Sequence, residues 1–116
     1  MDAMFPQFRL LSHALDFASQ NHRVISQNLA NINTPNYQAR QLSFEQFLDH
    51  IQKGHRSEPP PQYDVHLTAG LTARADGNNV DLDAELGNLK RNDLTYQALN
   101  ELLGAKFEIM KAAIKG

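Results

Sequence analysis

Residues 8–40 read FRLLSHALDFASQNHRVISQNLANINTPNYQAR, and the spacing of their apolar side chains decides the fold. The apolar positions alternate at intervals of three and four residues, which is the heptad pattern of a helix that packs along one seam. We interpret the one polar member, His22, as a hydrogen-bonded seam residue. The predicted seam consists of Phe8, Leu11, Leu15, Ala18, His22, Ile25, Leu29 and Ile32.

This helix is predicted to end near Asn31, because turn-forming residues follow it. The residue before a proline avoids the helical conformation, and asparagine tolerates a left-handed one. The segment Asn33-Thr34-Pro35-Asn36 combines both properties. The sequence therefore predicts a long first helix that ends in an Asn-rich turn.

A second heptad run predicts another long helix in the last third of the chain. Asp81 is its predicted N-cap. Acidic residues in its first turns and lysines towards its end suit the helix dipole. Its predicted seam consists of Leu82, Leu86, Leu89, Asp93, Tyr96, Asn100, Leu103, Phe107, Met110 and Ile114.

The middle of the chain carries weaker signals. A short third helix is predicted over residues 43–53, opened by a capping box of Ser43 and Gln46. Alternating apolar residues predict a short strand at residues 63–68, and the remainder reads as extended loop. The predicted fold is mainly α, with the two long terminal helices pairing as an antiparallel coiled coil. It forms one structural domain in three segments: 1–40, 41–79 and 80–116.

The flanks of the first seam are poor in charge, which is unusual for a helix that pairs only once in water. We interpret this helix as packed on more than one side, although a solvated polar face remains open. Two helices alone also make a poor closed core, which favours an assembly. The flanks are Gln7, Ala14, Asn21 and Asn28 on one side, and Ser12, Ser19, Ser26 and Asn33 on the other.

The composition offers no pattern of catalysis or nucleic-acid binding. The 116 residues have a net charge of -2 and no cysteine, so a basic binding surface and a thiolate site are not expected. Five histidines lack the spacing of a metal motif, and the acids at 81, 83 and 85 are commonly dipole partners. We expect no enzyme activity, cofactor or metal. A metal enzyme using His50, His55 or His66 is the distant alternative.

Two motifs resemble those of bacterial flagellar axial proteins, the rod and hook subunits. Residues 26–40 match the family pattern N-[IL]-A-N-x-x-T-P-G-Y-[KQ]-A, and residues 78–86 match N-x-V-D-L-x-x-E. The tail over residues 94–107 resembles that of proximal rod subunits. Asn36 replaces the family's usual glycine, and asparagine is the next best residue if that position requires a positive φ.

The resemblance implies a structural subunit of the proximal rod, in a helical tube that transmits torque and surrounds the export channel. It implies periplasmic assembly after export without a cleaved signal peptide, and we see no such signal or membrane span in the sequence. Implied partners are other rod subunits, further copies of itself, and an export-gate or basal-body adaptor subunit, with no nucleic acid and no membrane insertion. The implied assembly residues are Asn28, Ala30, Asn31, Asn33, Thr34, Pro35, Tyr37, Asn79, Val80, Asp81, Leu82 and Glu85.

Two questions remain open at this level. The Asn-rich motif is either a self-contained helix stop or a subunit contact as well. The whole chain is also compatible with another axial subunit, from the distal rod or hook, or with a small cytoplasmic helical adaptor or export chaperone.

Overall fold

The first helix, α1, spans Pro6–Ala30 in this computed structural model, which describes residues 6–54 and 58–116. After Ala30 the chain enters a run of turns, in which the Thr34 N–H donates to the Asn31 carbonyl at 3.0 Å. The predicted end of the helix near Asn31 is confirmed.

The last helix, α3, spans Leu82–Lys115 and begins as predicted. The Asp81 carboxylate accepts a hydrogen bond from the Ala84 N–H at 3.1 Å, which satisfies one of the free donors of the first turn. Within residues 6–54 and 58–116, no helix combines the length and the apolar character that crossing a bilayer requires.

Helices α1 and α3 pack against each other in antiparallel orientation, as predicted. Near the end of α1, the Asn28 side chain reaches Glu85 in the first turns of α3. Near its start, the ring of Phe8 lies 4.9 Å from the ring of Phe107, centroid to centroid. The α1 seam is buried at Phe8, Leu11, Ala18 and Ile25, and half-buried at Leu15, Leu29 and Ile32.

The predicted α3 seam needs correction in the first half of the helix, where the face that packs on α1 lies one residue earlier; in the second half the predicted member Phe107 does contact α1. Glu85 and Asn92 are buried, while their neighbours Leu86 and Asp93 are exposed. The Asn92 side chain donates to the Ala18 carbonyl at 2.8 Å, so a polar contact sets the rotation of the helix. Of the predicted seam, Leu82, Leu86, Tyr96, Asn100, Phe107 and Ile114 are exposed, and Leu89, Leu103 and Met110 are half-buried.

His22 is also not buried in the seam. Its side chain is 53% exposed, and its Nδ1 lies 3.8 Å from the Asp93 carboxylate. These two polar members of the predicted seams therefore face each other across the helix pair, at its solvent side.

The short middle helix, α2, spans Phe44–Gln52, and only half of its predicted capping box forms. The Ser43 hydroxyl accepts from the Gln46 N–H at 3.2 Å. The Gln46 side chain does not return to Ser43. It bonds Asp64 instead, accepting from the backbone N–H at 2.6 Å, because the Ser43 N–H is already taken by the Asp64 carbonyl.

Two short strands form an antiparallel pair in the middle segment. Strand β2, Val65–Leu67, lies within the predicted strand. Its partner β1, Arg40–Leu42, follows the Asn-rich turn and was not predicted. Gln41 pairs with His66 at the centre of the register.

The middle segment covers a second face of α1, on which it builds an aromatic core. Val24 of α1 is buried with Leu42 and Tyr63, and Phe17 and Phe47 pack against them. On the same side His13 of α1 is buried, with its ring 5.0 Å from that of His50 in α2. The expectation that α1 packs on more than one side is confirmed, and its own chain supplies the second partner.

The buried hydroxyl of Tyr63 leads us to expect an unusual response to substitution. Its hydroxyl is buried and has no hydrogen-bond partner among the described residues. Burial, with the Asp16 carboxylate nearby, raises the pKa of Tyr63, so the hydroxyl stays protonated at neutral pH. We expect Tyr63→Phe to leave the free energy of unfolding unchanged or to raise it by up to about 1 kcal/mol, as measured by urea denaturation. A clear loss of stability would contradict this description of the hydroxyl.

Candidate functional site

The two sequence motifs lie against each other at the junction between α1 and α3. Asn78, which is fully buried, donates through its side-chain amide to the carbonyls of Asn31 and Thr34, at 2.8 Å each. These carbonyls belong to the end of α1 and its turn, where backbone acceptors lack helical partners. The second motif thus caps the helix that the first motif ends. We call this meeting of residues 28–40 and 74–85 the motif junction.

Asn79 forms a second link within the motif junction. Its side-chain oxygen accepts from the Ala39 N–H at 2.6 Å, and its amide group donates to the Gln38 side chain at 2.9 Å. Its own N–H donates to the Tyr37 carbonyl at 3.2 Å. Three hydrogen bonds therefore fix the chain just before α3 to the chain just before β1.

Asn28 lies at the centre of the motif junction, and its side chain is 1% exposed. Its oxygen accepts from the Arg40 N–H and from the Tyr37 hydroxyl, both at 3.0 Å. Its amide group donates to the Arg40 carbonyl at 2.7 Å and to Glu85 Oε1 at 3.1 Å. One side chain therefore joins α1, β1 and α3, and also covers the edge of β1 that faces away from β2.

Glu85 is a buried carboxylate whose hydrogen bonding is incomplete. The residue is 6% exposed, and Oε2 has no hydrogen-bond partner among the described residues. Burial raises the pKa of Glu85, and the Asp81 carboxylate adds to the rise, while the nearby side-chain amides of Asn28 and Asn88 oppose it. The ionised form is therefore costly in this position.

The raised pKa predicts how Glu85→Gln changes the pH dependence of stability. In an acid whose folded-state pKa exceeds its unfolded-state value, the folding penalty is absent at low pH. The loss of stability develops as pH rises from the pKa of the unfolded state through the pKa of the folded state. We expect Glu85→Gln to gain stability relative to wild type as pH rises above the unfolded-state pKa of about 4, measured by denaturation from acidic to neutral pH. A constant difference at every pH would contradict the assignment.

A tight turn closes the motif junction on its outer side. Asn36 has a positive φ of 65°, which confirms that this position requires a left-handed conformation. Its N–H donates to the Asp76 carbonyl at 2.9 Å. Arg74 donates to the Val80 carbonyl at 3.0 Å and also to the Ile32 carbonyl. The segments of the motif junction are thus joined to one another by hydrogen bonds.

The structure brings together only part of the predicted assembly set. Val80 is buried with Asn28 and Asn79, whereas other members point outward. Asn31 uses its side chain locally, donating to the Gln27 carbonyl at 2.8 Å. The exposed members are Ala30, Asn33, Thr34, Pro35, Asp81 and Leu82.

Among the contributors to the motif junction that sequence reasoning missed are Asn78 and Arg74. Asn78 stood in the quoted motif but not among the predicted site residues. Its side-chain oxygen accepts from the Val80 N–H at 2.8 Å, a local Asx turn that could have been anticipated. Arg74 carried no signal, since nothing around it in the sequence indicates a partner in the turn that follows α1.

The structure offers no metal centre in the part of the chain it describes. No group of three or more His, Asp or Glu side chains is arranged to hold an ion there. His55, one of the histidines of the metal-enzyme alternative, lies outside the described residues.

Known proteins resemble this chain over nearly its whole length. A family model described as flagella basal body rod protein matches residues 8–38, which are most of α1 and its turn. The flagellar basal body rod protein FlgB of Bacillus subtilis (strain 168) is 35% identical, over 91% of this chain and 91% of that protein. The FlgB proteins of Aeromonas hydrophila and Salmonella typhimurium are 31% and 26% identical, covering 94% and 100% of this chain and 92% and 98% of their own.

Proposed function

The chain belongs to the FlgB family of flagellar basal body rod proteins, and from this premise we propose how it works as a structural subunit of the proximal rod. The observation that carries the proposal is the similarity to FlgB proteins along nearly the full length of both chains. The motif junction supports it, because both axial motifs of the sequence serve one structural element.

We propose that copies of the α1–α3 pair stack into a helical tube. Five of the exposed apolar side chains of α3, at positions 82, 86, 96, 107 and 114, share one face of the helix by their spacing. This supports the stacking, since an apolar face exposed on a single protomer marks an interaction surface. A heterologous contact that repeats without closing produces a filament. The exposed apolar residues of α3 are Leu82, Leu86, Leu94, Tyr96, Leu102, Phe107, Ile109 and Ile114.

In such a tube the mechanism is mechanical. The rod transmits torque and encloses the channel through which later subunits are exported. The motif junction suits this role, because buried amide hydrogen bonds join the two helices at one end and resist their sliding. The exposed side chains of Asn33 and Pro35 are proposed as contacts to neighbouring subunits.

The proposed partners are further copies of this chain, other rod subunits, and an export-gate or basal-body adaptor subunit. The proposed place of assembly is the periplasm, after export from the cytoplasm without cleavage of a signal peptide. Mass spectrometry of the protein from isolated basal bodies tests this last point, because an intact N-terminus is expected.

Deletion of the gene tests the function itself. We expect basal bodies isolated from the deletion strain to carry the membrane ring and export gate but no rod in electron micrographs. Complementation with the wild-type gene is the control and should restore rods and motility. Complete rods in the deletion strain would overturn the proposed function.

A further inference from the structure

A groove of about 550 Å³ runs between α1, β1, the start of α2 and the first half of α3. Its wall is mainly apolar and includes Phe17, Ile25, Phe44 and Leu71. Glu85 also lines it. A cavity of this size accommodates several side chains of a partner.

The unpartnered oxygen of Glu85 indicates what such a partner supplies. Oε2 is buried without a hydrogen-bond partner among the described residues, and a buried acceptor in that state is costly. Arg40 and Arg91 also line the groove, but both are exposed and already donate to their own chain, to Tyr37 and to Asn88. A cationic donor that enters with apolar side chains would satisfy Glu85.

The free end of α3 has the matching chemistry. Ile114 is 77% exposed, and Lys111 lies three residues before it on the same face. The ammonium of Lys111 has a surface contact of 3.9 Å with Glu108, which contributes little at such exposure. Since Phe107 already lies opposite Phe8 near the start of α1, this last part of α3 extends beyond the described part of α1.

The groove and this free end cannot meet within one molecule. Both belong to the same helix, and about 1.5 Å of rise per residue separates Glu85 from Lys111 by about 39 Å. A contact between them must therefore join two molecules. Because the groove and the free end are two different surfaces, such a contact can repeat from each copy to the next.

We propose that the C-terminal end of α3 of a second copy binds in this groove, with Ile114 against the apolar wall and the Lys111 ammonium donating to Glu85 Oε2. The inference rests on the proposed rod function and names the surfaces through which consecutive copies join. Glu85 then has one role inside the protomer, through Asn28, and another between protomers.

Cysteine cross-linking in isolated basal bodies tests the contact, because the chain has no native cysteine. The double variant Leu71→Cys with Ile114→Cys is expected to give a ladder of covalent multimers of this chain after mild oxidation. The matched control pairs Leu71→Cys with Leu94→Cys, which is 64% exposed but lies on another face of α3. It is expected to give several-fold less product.

Charge variants in the cross-linking background distinguish this groove from general proximity. Lys111→Gln and Glu85→Gln should each lower the yield several-fold, while Lys111→Arg should retain it. The motility of each variant is measured to show that the variant assembles. If the Leu71→Cys variant does not assemble, Asn88→Cys with Ile114→Cys serves as a second cysteine pair. Equal yields in the control pair, or yields unaffected by both glutamine variants, would overturn the proposed contact.

The two proposals fail in different ways. Rodless basal bodies in the deletion strain together with absent cross-links would leave the rod function intact and remove only this contact. Complete rods in the deletion strain would remove the function on which the contact rests.

Discussion

Replacing Asn28 by alanine is expected to lower the free energy of unfolding by about 3 kcal/mol, because several buried polar groups lose their partner at once. The Arg40 N–H and carbonyl, the Tyr37 hydroxyl and Glu85 Oε1 all bond to this one side chain. Water cannot easily take the place of Asn28 as their hydrogen-bond partner, since Asn28 is 1% exposed. Urea denaturation followed by circular dichroism measures the effect.

Asn33→Ala is the matched control, because the side chain of Asn33 is exposed in the same motif. Its expected change in stability is within about 0.5 kcal/mol. Asn28→Asp should be at least as damaging as alanine at neutral pH, since it removes both donors and adds a charge beside Glu85. Similar losses for Asn28→Ala and Asn33→Ala would contradict the central role of Asn28 in the motif junction.

The helices were predictable because their signals are local. The turn that ends α1 and the Asp81 cap that opens α3 are each encoded within a few residues. The α1 seam also followed from its period, and Phe8, Leu11, Ala18 and Ile25 are buried as predicted. A long heptad run specifies a helix whatever it packs against.

The rotation of α3 was not predictable, because polar side chains far apart in sequence decide it. Leucines recur along the predicted seam, yet Asn92 turns towards α1 to bond the Ala18 carbonyl. The hydrophobic pattern alone does not determine which face of α3 packs on α1, because α3 has apolar residues on several faces. Leu82 and Leu86 are left exposed as a result.

The Asn-rich motif held an ambiguity that only distant partners could resolve. An asparagine side chain can donate and accept, so its sequence context does not reveal its partners. Asn28 and Asn78 bond groups inside the protomer, as a self-contained helix stop requires. Any contact of the motif with a neighbouring subunit must therefore use its exposed members, which is why Asn33 and Pro35 are the proposed ones.

Gly77→Ala is expected to destabilise the protein by about 2–4 kcal/mol, for two reasons that add. Gly77 has a positive φ of 83°, which disfavours any residue with a Cβ atom. A Cβ placed there would also overlap Oδ1 of Asn36. The added Cβ would also lie only 3.3 Å from the Cα of Asn36. Since the Asn36 N–H bonds the Asp76 carbonyl, relief of this backbone contact would loosen the turn that closes the motif junction.

Gly70→Ala separates the two reasons, because Gly70 has nearly the same φ, 81°, and no atom within 4 Å of the added Cβ. Its expected cost is only the conformational one, about 1–2 kcal/mol. Asn36→Gly removes the overlapping side-chain atoms but keeps the Asn36 Cα at 3.3 Å, so Gly77→Ala in that background should cost less than in the wild type and approach the cost of Gly70→Ala. Denaturation midpoints of the single and double variants measure this coupling. If Gly77→Ala is equally costly in the wild-type and the Asn36→Gly backgrounds, the close approach of the two turns does not set the stability of the junction.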